Sequence, residues 1–306
     1  MRREFHRRPC QVPMDGKVMR RRIEYVAPFD GKAEDILKYN GVSSSVCVSL
    51  RKSLGLVCKI VDGGEIPIRL IDALSQGERL CIYLVDEDVK PIPKADIPVN
   101  IVYEDEDIAV VDKQAGLAVI PVRGHYGRCL SNALANVWGD FVYRPVNRLD
   151  RDTSGLMIVA KNQLAHGALS AEHIYREYVA LCSGVFAGEG RGEINLPIRR
   201  CGESMRREVD PSGEQAITHY EILNQYQDYF SAKFVLETGR THQIRVHAAH
   251  MGYPLCCDRL YNPNPQTIIC PSGKTLDRQA LHSCKLQFTH PISKEIMTFE
   301  SQAEFL

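Results

Sequence analysis

The sequence has no apolar run approaching the roughly 20 residues of a membrane-spanning helix. It has no Cys-x-x-Cys pair despite its 11 cysteines, so neither a zinc knuckle nor a dithiol redox centre finds its usual spacing. It has no excess of charge: 38 Lys and Arg balance 38 Asp and Glu. Bulk charge alone therefore does not bind it to a polyanion. Its basic N-terminus lacks the apolar run of a secretory signal. The cysteines sit in apolar segments such as Leu80–Cys81 and Leu181–Cys182, and read as reduced, mostly buried thiols of a cytoplasmic protein.

What is present is an ordinary globular composition, 44% hydrophobic and 25% charged over 306 residues, enough for a large domain and a small one. The charge is uneven. Residues 1–22 hold Arg2, Arg3, Arg7, Arg8, Lys17, Arg20, Arg21 and Arg22 against Glu4 and Asp15. This stretch reads as a solvated tail, with added phosphate affinity as the sharper alternative. Residues 87–98 carry three prolines among mixed charges and read as a semi-extended linker. A small module, 23–86, lies before the linker, and a large domain, 99–306, follows it.

In the module, Lys32–Leu37 and Ser43–Leu54 read as helices, the second opened by serine caps, with Arg51 and Lys52 on its outer side. Leu56–Val61 and Arg79–Leu84 read as strands. In the large domain the predicted strands are Asn100–Tyr103, Ile108–Asp112, Leu156–Ala160, Glu177–Gly184, Thr218–Gln225, Phe230–Leu236, Leu281–Thr289 and Glu295–Glu300. Ser131–Val137 and Gln163–Glu172 are the predicted helices. Without regular β-α-β alternation, the fold class is α+β on a mixed, mainly antiparallel sheet.

Two stretches carry chemistry. Asn147-Arg148-Leu149-Asp150-Arg151-Asp152-Thr153-Ser154-Gly155 sets two carboxylates among arginines before a buried strand. Positive charge beside a carboxylate favours its ionised form, which can act as nucleophile or base. Read alone, it is also what a structural ion-pair loop looks like. Thr238-Gly239-Arg240-Thr241-His242-Gln243-Ile244-Arg245-Val246-His247 clusters donors suited to phosphate or base-edge contacts, with Gly239 open to close approach by an anion. His242, His247, His250 and His282 raise the question of a metal, but no cysteine or carboxylate set joins them. No metal is expected.

Together, and in this order, the two stretches resemble the RluA family of RNA pseudouridine synthases over roughly 99–306. The family pattern has Arg-Leu-Asp, then Thr-Ser-Gly, a Tyr-bearing strand, and Thr-Gly-Arg-Thr-His-Gln-Ile-Arg-x-His. Glu104–Lys113 is similar to a further family segment. The resemblance implies Asp150 as the catalytic carboxylate, acting as nucleophile or base on a flipped-out nucleotide. It also implies that Arg148 ejects that nucleotide from its stack, Tyr178 packs on the uracil, and Arg245 pairs with Asp150. Asp152 matches no family position and reads as structural. The chain departs from the pattern at Asn147, where the family has His, at Arg176 in place of Lys, and at Gln114 after Lys113 in place of Pro. An isomerisation of this kind implies no cofactor.

The layout of residues 23–86 resembles an S4-like RNA-binding module, which would place Arg51 and Lys52 near RNA backbone. The implied partner is RNA: large-subunit (23S) ribosomal RNA first, transfer RNA as the alternative. We expect a monomer. Two rival classes remain at this stage. A non-catalytic RNA-binding protein would have lost Asp150. A glycoside hydrolase would need two carboxyls about 5–10 Å apart, leaving the arginines without a task.

Overall fold

The computed structural model describes residues 18–52, 56–86, 90–121, 127–139 and 141–306. Arg2, Arg3, Arg7, Arg8 and Lys17 of the basic stretch, Leu54, and residues 87–89 lie outside these. In the N-terminal unit, helix α1 is Ala33–Tyr39 and helix α2 is Ser44–Arg51. Ser43 caps α2, its hydroxyl accepting from Val46 N, which satisfies a donor that the first turn leaves without a partner. Val46, Cys47 and Leu50 face inward with Ile36 and Leu37. They pack on antiparallel strands in the order Val18–Val26, Arg79–Asp86, Val57–Val61, Gly64–Pro67.

The first of these strands corrects the reading of 1–22 as a tail: Val18–Arg22 pairs along Arg79–Asp86. The arginines there are tolerated because carboxylates meet them. Arg22 donates to Glu65 at 3.0 and 2.6 Å. Arg21 Nε donates to Asp107 of the large domain at 3.2 Å. The unit is seated on that domain through α2. Ser49 Oγ donates to Gln163 Oε1 at 3.2 Å, and Leu164 is buried in the unit's own apolar cluster. Arg51, on the outer side of α2, pairs with Glu34.

Residues 90–99 hold no regular element but are laid against helix α3, Leu130–Trp138. Asn132 Nδ2 donates to Pro93 O at 2.7 Å and Asn132 O accepts from Ala95 N at 3.1 Å. Ile92 and Ile97 rest on the main core.

The large domain is built on a ten-stranded sheet. Its hydrogen-bonded path runs Arg191–Asn195, Ile217–Gln225, Tyr229–Leu236, Tyr175–Ser183, Leu281–Thr289, Ser154–Ala160, Ile108–Lys113, Asn100–Glu104. Arg144–Pro145 and Ile296–Glu300 pair off the path. One pairing is parallel, Ser154–Ala160 with Leu281–Thr289; the rest of this sheet is antiparallel. The mixed, mainly antiparallel α+β fold expected above is the one observed. The parallel crossing is close: Gly155 has φ +108°, and a Cβ there would lie 2.3 Å from Ser283 O. Only glycine fits that crossing. Helix α4, Gln163–Ala171, and helix α5, Gln243–His250, complete the domain.

The ten described cysteines are all free thiols, eight of them buried. No helix among the described residues is long and apolar enough to cross a membrane.

Candidate active site

Asp150 lies in the loop between Arg144–Pro145 and Ser154–Ala160. Alternating exposure explains its placement. Leu149 sinks into the main core while Arg148, before it, is exposed. Asp150, after it, keeps a quarter of its side chain accessible. Among the described residues Arg148 makes no hydrogen bond or ion pair. Asn147, where the family has His, is buried and spends its Oδ1 on Ile158 N at 2.8 Å. It pins the loop to the strand that follows.

Arg245, on α5, donates from Nη1 to Asp150 Oδ2 at 2.8 Å. Its Nε and Nη2 donate to Asp258 at 2.7 and 2.8 Å. Asp258 is fully buried and also accepts from Leu260 N and Tyr261 N. Burial works against the charge of Arg245, but the bonds to Asp258 and Asp150 outweigh it and hold the guanidinium above its ordinary pKa. A two-point bond of this kind fixes a planar guanidinium in direction as well as position. Asp258 lies outside both stretches singled out in the sequence. The available signal was a lone carboxylate between apolar Leu255–Cys257 and Leu260–Tyr261.

Tyr178 is buried in the main core cluster, on the strand Tyr175–Ser183 at a register shift between Glu177 and Tyr178. Such an irregularity re-aims a side chain. Burial raises the phenol's pKa; the charge of Arg176 opposes this and that of Asp150 adds to it. Tyr178 is thus within electrostatic reach of Asp150. Arg176 takes up the space over Gly239, where a Cβ would lie 2.8 Å from its Nη1. That space was read above as open to an anion, and a cation of the protein holds it.

Lys113 is buried beneath the same loop. Its ammonium donates to Gln114 O, Leu117 O and Arg151 O at 2.9, 2.9 and 3.0 Å. Burial pushes its pKa down to about 7, with the charges of Asp150 and Asp152 opposing. Asp152 is held by Arg151 in a two-point bond of 2.9 and 2.8 Å. It is not presented beside Asp150 as a free second carboxyl.

The donor cluster of residues 238–247 divides. His242 joins the site, with Nε2 3.8 Å from Asp150 Oδ2. His247 does not: it is buried between Thr218 Oγ1 and Leu196 O, each at 2.9 Å. Arg240 binds Gln215 O at 3.0 Å and pairs with Glu214. Two groups among the described residues have metal-ligand chemistry within reach of one another, Cys58–Glu65–Cys81 and Asp105–Asp107–His290. Neither includes Asp150, and their carboxylates are engaged: Glu65 by Arg22 and Tyr83, Asp107 by Arg21 and Asn162, and Asp105 by Tyr103 and His290.

Residues 107–250 match the family model described as RNA pseudouridylate synthase. The chain is 37% identical over 251 residues to a Bacillus subtilis protein named uncharacterized RNA pseudouridine synthase YjbO, covering 79% of this chain and 85% of that one. It is 39% identical over 236 residues to ribosomal large subunit pseudouridine synthase D of Haemophilus influenzae, covering 72% of each. Its fold is similar to that of human RNA pseudouridylate synthase domain containing 1, with a TM-score of 0.56 at 24% identity over 70% of this chain and 87% of that one. With its fold and these relatives, the chain belongs to the RNA pseudouridine synthase family.

Proposed function

We propose that this enzyme isomerises uridine in large-subunit ribosomal RNA, with Asp150 acting on a flipped-out nucleotide. The carrying observation is the ordered chain Asp258–Arg245–Asp150, in which a buried carboxylate orients a guanidinium and the guanidinium orients a partly accessible carboxylate. In this reading Arg148 enters the RNA stack from its exposed position and offsets an unstacking cost of a few kcal/mol. Tyr178 offers a flat face to the flipped base. Asp150 attacks as nucleophile or acts as base at the sugar, and Arg245 holds it in place. No cofactor takes part. In this reading Arg51 and Lys52 of the S4-like unit contact RNA backbone. The enzyme works as a monomer in the cytoplasm, where reduced buried thiols are at home.

The ribosomal target rests on the names of relatives and on the S4-like unit before the catalytic domain. Transcripts of 23S ribosomal RNA and of transfer RNA, tritiated at uracil C5, test it: joining C5 to the sugar expels the tritium into water. Release from the ribosomal transcript alone is expected. Release from transfer RNA alone would overturn the target.

A further inference from the structure

Among the described residues near Asp150, His242 has no task in the proposed reaction, and its backbone conformation is an uncommon one. Its backbone has φ 59° and ψ 20°, the left-handed region, which is unfavourable for a residue with a Cβ. In that conformation its ring is held from one side only. Nδ1 is 2.9 Å from Tyr261 Oη, while Nε2 makes no hydrogen bond among the described residues and faces Asp150 Oδ2 at 3.8 Å. That separation is too long for a hydrogen bond.

The proton on the ring can be placed by counting donors. Tyr261 Oη accepts from Arg207 N at 2.8 Å. Burial raises the phenol's pKa, so Tyr261 keeps its own proton. Among the described residues, the acceptor within reach of that proton is His242 Nδ1. Burial lowers the His242 pKa, against the charge of Asp150 and with that of Arg245, so the ring is neutral. A neutral imidazole accepting at Nδ1 carries its hydrogen on Nε2. The charged groups facing it are Asp150, Arg245, Asp258 and Arg207.

We propose that His242 Nε2–H is a catalytic hydrogen-bond donor to the uracil carbonyl lying alongside the sugar C1′: O2 in the uridine and O4 in the product. This rests on Asp150 acting on a flipped nucleotide. As the C1′–N1 bond breaks, negative charge spreads from N1 onto O2 and O4. A donor fixed beforehand at that point stabilises the charge as it grows. The detached base must then turn so that C5 faces C1′. A half-turn about the axis through N3 and C6 exchanges N1 with C5 and O2 with O4. The same donor therefore meets a carbonyl at both ends of the turn. The balance closes without a co-reactant: C1′–N1 breaks, C1′–C5 forms, C5 loses a proton and N1 gains one. His242 keeps its hydrogen throughout.

The test compares single-turnover tritium release by wild type, His242→Phe, His242→Gln and Tyr261→Phe, on whichever of the 23S and transfer RNA transcripts the wild type modifies. RNA affinity is measured by filter binding. Loss of one such donor is worth about 100-fold or more in rate. His242→Phe should lose that much with RNA affinity retained. His242→Gln, which restores an N–H near Nε2, should recover part of it, and Tyr261→Phe should fall between. In parallel, ¹⁵N spectra of histidine-labelled enzyme should show His242 protonated at Nε2. A His242→Phe rate close to wild type, a Gln variant as slow as the Phe variant, or a ring protonated at Nδ1 would each overturn the proposal. A wild type silent on both RNAs would instead overturn the substrate assignment, and the tautomer alone would then decide this inference.

Discussion

A guanidinium has three nitrogens to give, and Arg245 gives two of them to Asp258. The third is thereby aimed at Asp150, so the orientation of an accessible carboxylate is set by one that solvent never reaches. Removing one partner of a buried ion pair leaves the other uncompensated, at a cost of about 3–5 kcal/mol. Asp258→Ala and Arg245→Ala should each destabilise by that order in urea unfolding. The double variant should lose much less than the sum. Strict additivity would show that the two groups do not act as a pair. The pairing of Arg245 with Asp150, observed at 2.8 Å, was implied by the family resemblance, whose two stretches carry one residue each. Asp258 was not legible, since nothing in Cys257-Asp258-Arg259 marks which basic residue the fold will bring to it.

At the scale of elements, the loop that bears Asp150 is tied to a strand end through Lys113, whose three acceptors use every proton of an ammonium. Its folded pKa of about 7 stands below the ordinary 10.5. Between those values the unfolded chain binds the proton more readily, so unfolding free energy rises with pH across that window. The contribution is complete above the unfolded pKa and is lost as pH falls through about 7. Urea titrations from pH 6 to 10 should show this rise in the wild type and a flatter line in Lys113→Met. Parallel lines would refute it. Most of the sheet was legible in the sequence, because buried strands such as Ser154–Ala160 announce themselves by continuous apolar residues. Val18–Val26 was not. Its arginines read as solvent-facing until Glu65 and Asp107 are seen to meet them across the fold. The short polar strands Arg191–Asn195, Ile198–Arg200 and Arg207–Val209 gave no periodic signal long enough to read.

At the scale of the whole molecule, the N-terminal unit is seated on α4 through Ser49 of α2, with Leu164 shared between the two parts. That leaves Arg51 half exposed on the opposite side, a placement suited to phosphate. Removing one cation that neutralises a phosphate should lower the salt slope of RNA binding by roughly 1. Arg51→Ala with Lys52→Ala should therefore weaken binding to the 23S transcript and flatten its dependence on salt. An unchanged slope would remove this unit from the RNA interface.

The proposed function requires Asp150 as the reacting carboxylate. Its most direct test is tritium release from C5-labelled transcript by wild type and by Asp150→Asn, which keeps the side chain's shape and gives up its charge. Release by the wild type, with none from a folded, RNA-binding Asp150→Asn enzyme, is the result expected under the proposed function. Equal release by the two proteins would contradict it and move the search to another carboxylate.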